Sequence, residues 1–264
     1  MLEIISFVFV FLVGLIVGSF VNVCIYRIPR KISIIKPRSR CPACQSPIKA
    51  LDNIPLISFV ILGGKCRNCG AKISWRYPLV ELANGFLYVL AFNLILHGRD
   101  NWGIFVVALY LSTVFLIIFF IDLDFRIIPD SLTISGIIIG LAVSFLPCMH
   151  LRWLDSFVGF FIGGALFLTI AEVGDRIFKK ESMGGGDIKL AAMMGAFLGW
   201  KNILLVLVIA SFLGVVFGVV LILSAKDKIS ARTIPFGPYL VIAGLIAFYW
   251  GEQIIRYYLE FISR

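Results

Sequence analysis

Apolar residues fall along this chain in long blocks, not in the alternation of a half-buried strand or the narrow stripe of a surface helix. The blocks lie near positions 4–26, 78–97, 103–121, 131–147, 154–175, 203–223 and 236–258. Each approaches the roughly 20 residues a helix needs to cross the hydrocarbon core of a bilayer. A shorter block, 188–199, reads as a helix of about 18 Å at ~1.5 Å per residue. It is counted as a crossing in a thinned or protein-lined region. The pattern predicts an all-α polytopic membrane protein of about eight transmembrane helices.

Composition agrees. Of 264 residues, 60% are hydrophobic and 15% charged, and the mean hydropathy is +1.01, which no ordinary soluble domain matches. The first block is expected to be retained rather than removed as a signal peptide. Met1-Leu2-Glu3 carries no basic n-region, and the block runs into Tyr26-Arg27 with no small-residue cleavage site. No internal repeat or low-complexity stretch stands out.

The net charge of +9 is concentrated. Residues 27–76 hold 11 of the 24 Lys and Arg and one acid, Asp52. The positive-inside rule places this loop in the cytoplasm without requiring a nucleic-acid partner. Counting crossings forward puts the N-terminus outside, 97–101 outside, 122–130 cytoplasmic, 147–153 outside and 175–187 cytoplasmic. The basic segment 226–232 is then cytoplasmic and the C-terminus outside. The expected division is a first transmembrane helix (1–26), a cytoplasmic module (27–77) and a membrane helical core (78–264).

Four of the six cysteines form Cys41-Pro-Ala-Cys44 and, 21 residues on, Cys66-Arg-Asn-Cys69. Two such knuckles at this spacing predict a small zinc-ribbon-like insertion between the first two membrane helices, with Cys41, Cys44, Cys66 and Cys69 around one structural Zn2+. Arg40, Lys65 and Arg67 are expected to favour the thiolates. Disulfides fit a cytoplasmic loop poorly, and no thioredoxin-like pattern surrounds either pair. A module of some 50 residues has little core, so a metal supplies much of its folding energy. Cys24 and Cys148 read as unpaired.

Two further features carry chemistry. Asp122-Leu-Asp-Phe-Arg-Ile-Ile-Pro-Asp130 follows an apolar block, and Gly184-Gly185-Gly186-Asp187 opens the short helix. Ionisable groups at a bilayer edge are functional-site candidates, and two carboxylates sharing a proton are the chemistry of an aspartic protease. Both Asp122 and Asp187 fall on the predicted cytoplasmic face. The glycines let substrate backbone approach Asp187, which lies where a helix dipole favours negative charge. Asp124 and Asp130 rival Asp122 on local grounds. Asp130 reads as an N-cap before the helix from Ser131, Lys189 as an interface anchor, and Asn22 and Glu81 as buried polar partners.

Taken in order, these pieces resemble the type IV prepilin peptidase family (prepilin leader peptidase and N-methyltransferase). They are Gly18-Ser-Phe-Val-Asn-Val-Cys-Ile-Tyr-Arg-Ile-Pro29, the cysteine knuckles, Asn53-Ile-Pro-Leu-Ile-Ser-Phe59 and Arg76-Tyr-Pro-Leu-Val-Glu81. The Asp122 motif, Met183-Gly-Gly-Gly-Asp-Ile-Lys-Leu190 and Pro235-Phe-Gly-Pro-Tyr239 complete the set. Phe59 and Phe125 depart from the family pattern, which often has Tyr and His there. The resemblance, rather than spacing, selects Asp122 over its rivals and pairs it with Asp187 as a GxGD-type intramembrane aspartic protease.

The resemblance implies a bifunctional inner-membrane enzyme. It would remove the short basic leader of type IV prepilins or secretion pseudopilins after a glycine. It would then methylate the new N-terminal amine with S-adenosylmethionine. No Gly-rich strand-to-helix turn marks a site for that donor, and the basic loop with Gly63-Gly64 is the candidate region. Lipids and the substrates' leader segments are the implied partners. A proton-coupled carrier would instead need midplane charges and broken helices in two related halves. A non-enzymatic assembly scaffold would need only the basic loop as a docking site.

Overall fold

The computed structural model describes residues 2–97, 101–147, 151–180, 182–224 and 235–263. Cys148 and the basic segment 226–232 lie outside the described residues. Among those described, the chain is helical, with no strand beyond two isolated bridges. In order the helices are α1 (Leu2–Arg27), α2 (Ile57–Ile61), α3 (Arg76–Ala91, continued by a π turn, Phe92–Leu96), α4 (Trp102–Phe125), α5 (Asp130–Val143), α6 (Trp153–Phe178), α7 (Gly185–Ser224) and α8 (Gly237–Ile262).

Six of these are long and apolar enough to cross a membrane. The 40-residue α7 is two helices in one, because Gly199 takes φ 77° and ψ 172°, a backbone geometry that favours glycine. It divides α7 into 185–198 and 200–224, the two blocks separated in the hydropathy pattern. With the 14-residue α5, eight apolar helices result, as predicted. α5 stops at Val143 and gives way to a turn, so the block at 131–147 yields less helix than its apolar length.

The chain divides into two compact units, 1–117 and 118–264. In the first, α1 lies on α3 along a seam of small residues. A Cβ on Gly14 would stand 2.7 Å from the Gly85 Cα, and one on Gly18 2.7 Å from the Glu81 Cα. Such close approach is how helices associate where lipid leaves no hydrophobic drive between them. Polar groups reinforce the seam. Asn84 Nδ2 donates to the Gly14 carbonyl at 2.7 Å, and Asn22 Nδ2 to the Tyr77 carbonyl at 3.0 Å.

Glu81, buried on α3, reaches into the connecting loop. Its Oε2 accepts from the Leu56 amide at 2.9 Å, and its carboxylate also bonds Ser19. Leu56 has φ 58° and ψ −50°, a strained geometry for a branched residue that the buried carboxylate holds in place. Asn22 and Glu81 are thus structural partners.

In the second unit the first half of α7 is enclosed on two sides. Residues 190–199 are all buried. On one side, Ser156 of α6 donates to the Ala196 carbonyl at 2.6 Å, and Gly159 abuts Gly195 so closely that a side chain at either would strike backbone. On the other, Gly136 of α5 receives Met193, and Gly140 receives Phe197. The short block at 188–199 is therefore lined by protein, which accounts for its modest length.

Candidate active site and metal centre

Asp122 closes the apolar run of α4 and is buried, 5% exposed. Its Oδ2 accepts a hydrogen bond from the Gly237 amide at 3.0 Å. Gly237 is the first residue of α8, so the carboxylate meets the positive end of that helix. Gly237 is required there, since a Cβ would fall 2.6 Å from Asp122 Oδ2 and 3.2 Å from Ile128 Cδ1.

Asp187 lies in the first turn of α7, its amide bonded to the Gly184 carbonyl at 3.0 Å. It stands within electrostatic reach of Asp122. The link between the two is Ile128, which touches Gly237 at one end and Gly186 at the other. A Cβ on Gly186 would sit 2.8 Å from the Ile128 Cβ. The three glycines before Asp187 therefore differ in kind. Gly186 makes room for Ile128, whereas a Cβ on Gly185 would meet nothing within 4 Å. Asp187 Oδ1 is buried without a hydrogen-bond partner, a costly state that a ligand group would relieve.

The rivals fall elsewhere. Asp124 is exposed, two residues along α4 from the buried Asp122. Asp130 is not the N-cap expected from its position. It is the first residue of α5, the N-cap is Pro129, and no side chain caps that helix. The Asp130 carboxylate instead pairs with Lys189 Nζ at 2.7 Å, an exposed contact that ties the two aspartate motifs together. Lys189 is thus the ion-pair partner of Asp130.

The four cysteines gather in the first unit, their sulfurs all within 4.8 Å of one another and Cys41 Sγ 3.9 Å from Cys69 Sγ. Four ligands at ~2.3 Å around a tetrahedral zinc stand close to that far apart. The knuckles share one hydrogen-bond plan. The Cys41 amide donates to the Ser46 carbonyl and Gln45 back to Cys41; the Cys66 amide donates to Ala71 and Gly70 back to Cys66. Gln45 and Gly70 each take positive φ, and the bridges Arg40–Pro47 and Lys65–Lys72 close the two hairpins. The cluster can hold a metal ion.

What shifts the thiols differs from expectation. Hydrogen bonds from the Ser46 hydroxyl and then the Ser46 amide lower Cys44 to about 6. The Cys69 and Asn68 amides lower Cys66. Despite a bond from the Ala71 amide, Cys69 is raised to about 11, by desolvation and by the other three thiols. Arg67 does not serve the sulfurs. Its Nε and Nη2 grip both oxygens of Asp52, with a closest approach of 2.6 Å, and this holds the Asp52 carboxyl below its ordinary value. The single acid of the basic loop thereby fastens the second knuckle to the segment between the two.

The Gly63-Gly64 turn ends α2 with both residues at positive φ, and Gly64 packs against the Phe59 ring, itself 4.8 Å from Trp75. A cavity of about 460 Å³ opens instead between α1 and the segment 34–55, and neither glycine lines it.

Comparison with known proteins gives the geometry its context. Residues 12–95 match the bacterial peptidase A24 N-terminal domain, and residues 109–219 match the type IV leader peptidase family. A prepilin leader peptidase/N-methyltransferase of Aeromonas salmonicida is 38% identical over 285 residues, 97% of this chain and 94% of the relative. One of Pseudomonas aeruginosa is 35% identical over 95% of this chain and 92% of its own length. A type 4 prepilin-like proteins leader peptide-processing enzyme of Escherichia coli is 35% identical over 89% and 91%. No solved structure matches the chain. The chain belongs to the type IV leader peptidase family, and is a multi-pass, helical membrane member of it.

Proposed function

We propose that this chain is a bifunctional enzyme of the bacterial inner membrane. It cleaves the basic leader of type IV prepilins and pseudopilins after glycine and N-methylates the residue so exposed. The division into a first membrane helix (1–26), a four-cysteine zinc module (27–77) and a peptidase core (78–264) belongs to the same reading, as does a cytoplasmic active site with a periplasmic N-terminus. The observation that carries it is the convergence of Asp122 and Asp187 within one unit, with Asp187 Oδ1 buried and unpartnered.

Roles follow from the surroundings of each carboxylate. Asp122, held by the Gly237 amide at a helix start, suits the ionised base that takes a proton from water. Asp187, whose Oδ1 is buried with no hydrogen-bond partner, suits the protonated member that donates a hydrogen bond to the scissile carbonyl. Attack by water gives a tetrahedral adduct, and the proton gained by the base passes to the leaving nitrogen. The open space beside Gly185 admits extended substrate backbone to Asp187.

Zinc fits the four-sulfur cluster, where Cys41, Cys44, Cys66 and Cys69 would hold it and fix a module with little core. When bound, S-adenosylmethionine would supply the sulfonium methyl group to the neutral new N-terminal amine, departing as a neutral thioether, and the methylated ammonium would then lose its proton to solvent. The relatives' printed names support this second activity. Incubating detergent-solubilised protein with a prepilin-like peptide, with and without the donor, tests both. Mass spectrometry should show cleavage after glycine in either case, and one added methyl group only with donor. An intact peptide under both conditions would overturn the reading.

A further inference from the structure

The last turn of α1 holds a buried cation with no countercharge. Arg27 is 8% exposed, and its Nη1 and Nη2 donate to the Ser33 carbonyl at 2.8 Å and the Pro37 carbonyl at 2.7 Å. Those bonds use two of the five N–H groups of a guanidinium and supply no negative charge. Among the described residues no carboxylate pairs with Arg27, and a buried charge without an opposite is costly. Arg27 lines the cavity between α1 and the segment 34–55, as does Arg38, which is on the surface; no acid lines it. Ile16, Ser19, Phe20 and Val23 continue the wall along one face of α1. Ile16 is 63% and Phe20 47% exposed, so this face is turned to the acyl chains. From Ile16 to Arg27 it rises about 16 Å at ~1.5 Å per residue, the depth of one leaflet of a core roughly 30 Å thick.

We propose that this cavity seats one anionic phospholipid, its phosphate taken by Arg27 and Arg38 and an acyl chain lying along Phe20 and Ile16. The inference goes beyond the reactions proposed above and needs only that α1 crosses the membrane. A guanidinium fork suits a phosphate in two-point contact, and arginines at the end of a membrane helix lie at headgroup depth. At about 460 Å³ the space is of small-molecule size, enough for a headgroup whose chains continue into the bilayer. Other occupants carry the wrong chemistry. A basic prepilin leader would be repelled by two arginines with no acid beside them. A soluble phosphate would leave the apolar wall uncovered. The lipid, once seated, gives Arg27 its missing countercharge. It also lies against the segment that Arg27 fastens, which carries Cys41 and Cys44, so the four-cysteine module is tied to the membrane surface through lipid as well as through protein.

Native mass spectrometry of the full chain, stripped of lipid in mild detergent and titrated with phosphatidylglycerol or phosphatidylcholine, tests the site. One phosphatidylglycerol should bind about tenfold more tightly than phosphatidylcholine, as two arginines facing one anionic headgroup require. Arg38→Ala should weaken it about fivefold, the worth of one arginine at an anionic surface, and Arg38→Lys should keep most of the affinity. Arg27→Gln should lose the lipid altogether, but it also frees Ser33 and Pro37, so Arg38 decides. Unchanged helix content by circular dichroism verifies that the Arg38 variants are folded. Arg152→Ala, which removes a surface arginine of the second unit bound to Asp155, should bind as the unaltered chain does. In nanodiscs, phosphatidylglycerol in place of phosphatidylcholine should slow amide exchange across 33–39, and less so in Arg38→Ala. Equal affinity for the two lipids, or full affinity in Arg38→Ala, overturns the assignment. So does displacement of the lipid by inorganic phosphate, which makes the cavity an anion site without a lipid. Displacement by a basic prepilin-like leader peptide overturns it as well, since the cavity is then a substrate site.

Discussion

Asp122 Oδ2 and the Gly237 amide meet at 3.0 Å across 115 positions of sequence. The start of α8 thereby holds the carboxylate that ends α4. The glycine is part of the carboxylate's geometry, since any Cβ at that position would collide with it.

Gly237→Ala should therefore lower cleavage about 10²-fold, the order of loss that follows from displacing a catalytic group by an ångström. The protein should remain inserted, with its metal retained. Gly164→Ala is the contrast: its Cβ would lie 3.6 Å from Ala192, so cleavage should stay within twofold. Rates on one peptide for both variants check the pair.

Asp122→Asn and Asp187→Asn should each reduce cleavage by about 10³-fold or more, as removal of a general acid or base does. Methylation of a substrate supplied already cleaved should survive both. Asp124→Asn and Asp130→Asn should retain measurable cleavage, the first because Asp124 is exposed and the second because its partner Lys189 is on the surface. Normal cleavage by Asp122→Asn together with loss in Asp124→Asn would reassign the first aspartate.

One zinc per chain is expected by elemental analysis, and Ser at any of Cys41, Cys44, Cys66 or Cys69 should release it while the membrane helices stay folded. At pH 7 Cys69, near 11, is protonated, whereas Cys44, near 6, is mostly thiolate. Metal binding must expel the Cys69 proton, so at least about one proton per zinc should appear when the heat of binding is compared across buffers. Affinity should rise with pH and fall as acid reprotonates Cys44 below about 6. Binding with no proton release would contradict the four-thiolate site.

Glu81→Leu removes the acceptor of the Leu56 amide, and a buried unpaired N–H costs about 1–3 kcal/mol. Faster amide exchange across 54–64 is expected, with 203–223 unchanged. Equal protection in both proteins would show that Glu81 does not hold the loop.

Much of this was legible in the sequence, for identifiable reasons. Apolar blocks announce membrane helices because lipid accepts no exposed backbone, and a Cys-x-x-Cys pair carries its own turn. Asp122 and Asp187 stand out as charges at apolar edges, yet spacing alone does not separate Asp122 from Asp124; the two differ in burial, Asp122 being buried and Asp124 exposed. What stayed hidden depends on contacts made far along the chain. Nothing local marks Gly237 as the partner of Asp122, Asp52 as the partner of Arg67, or Lys189 as that of Asp130. The N-cap expected of Asp130 failed because its carboxylate found a lysine instead of the helix's own amides. The basic residues near the thiols misled for a like reason, since Arg67 is satisfied by Asp52 and Ser46 does the work on Cys44.

The enclosure of residues 190–199 has a consequence for how the molecule is made and where it can operate. A glycine-interrupted helix of this length, held between α5 and α6, gains little by entering lipid alone. It must wait for those neighbours before it is at home in the membrane. Asp187 consequently rides on a segment whose depth is set by protein rather than by acyl chains. Thickening or thinning the bilayer tilts lipid-facing helices, but it gives no purchase on 190–199. Membranes of different thickness should thus present Asp187 in the same setting between α5 and α6, so the chemistry can travel with the fold.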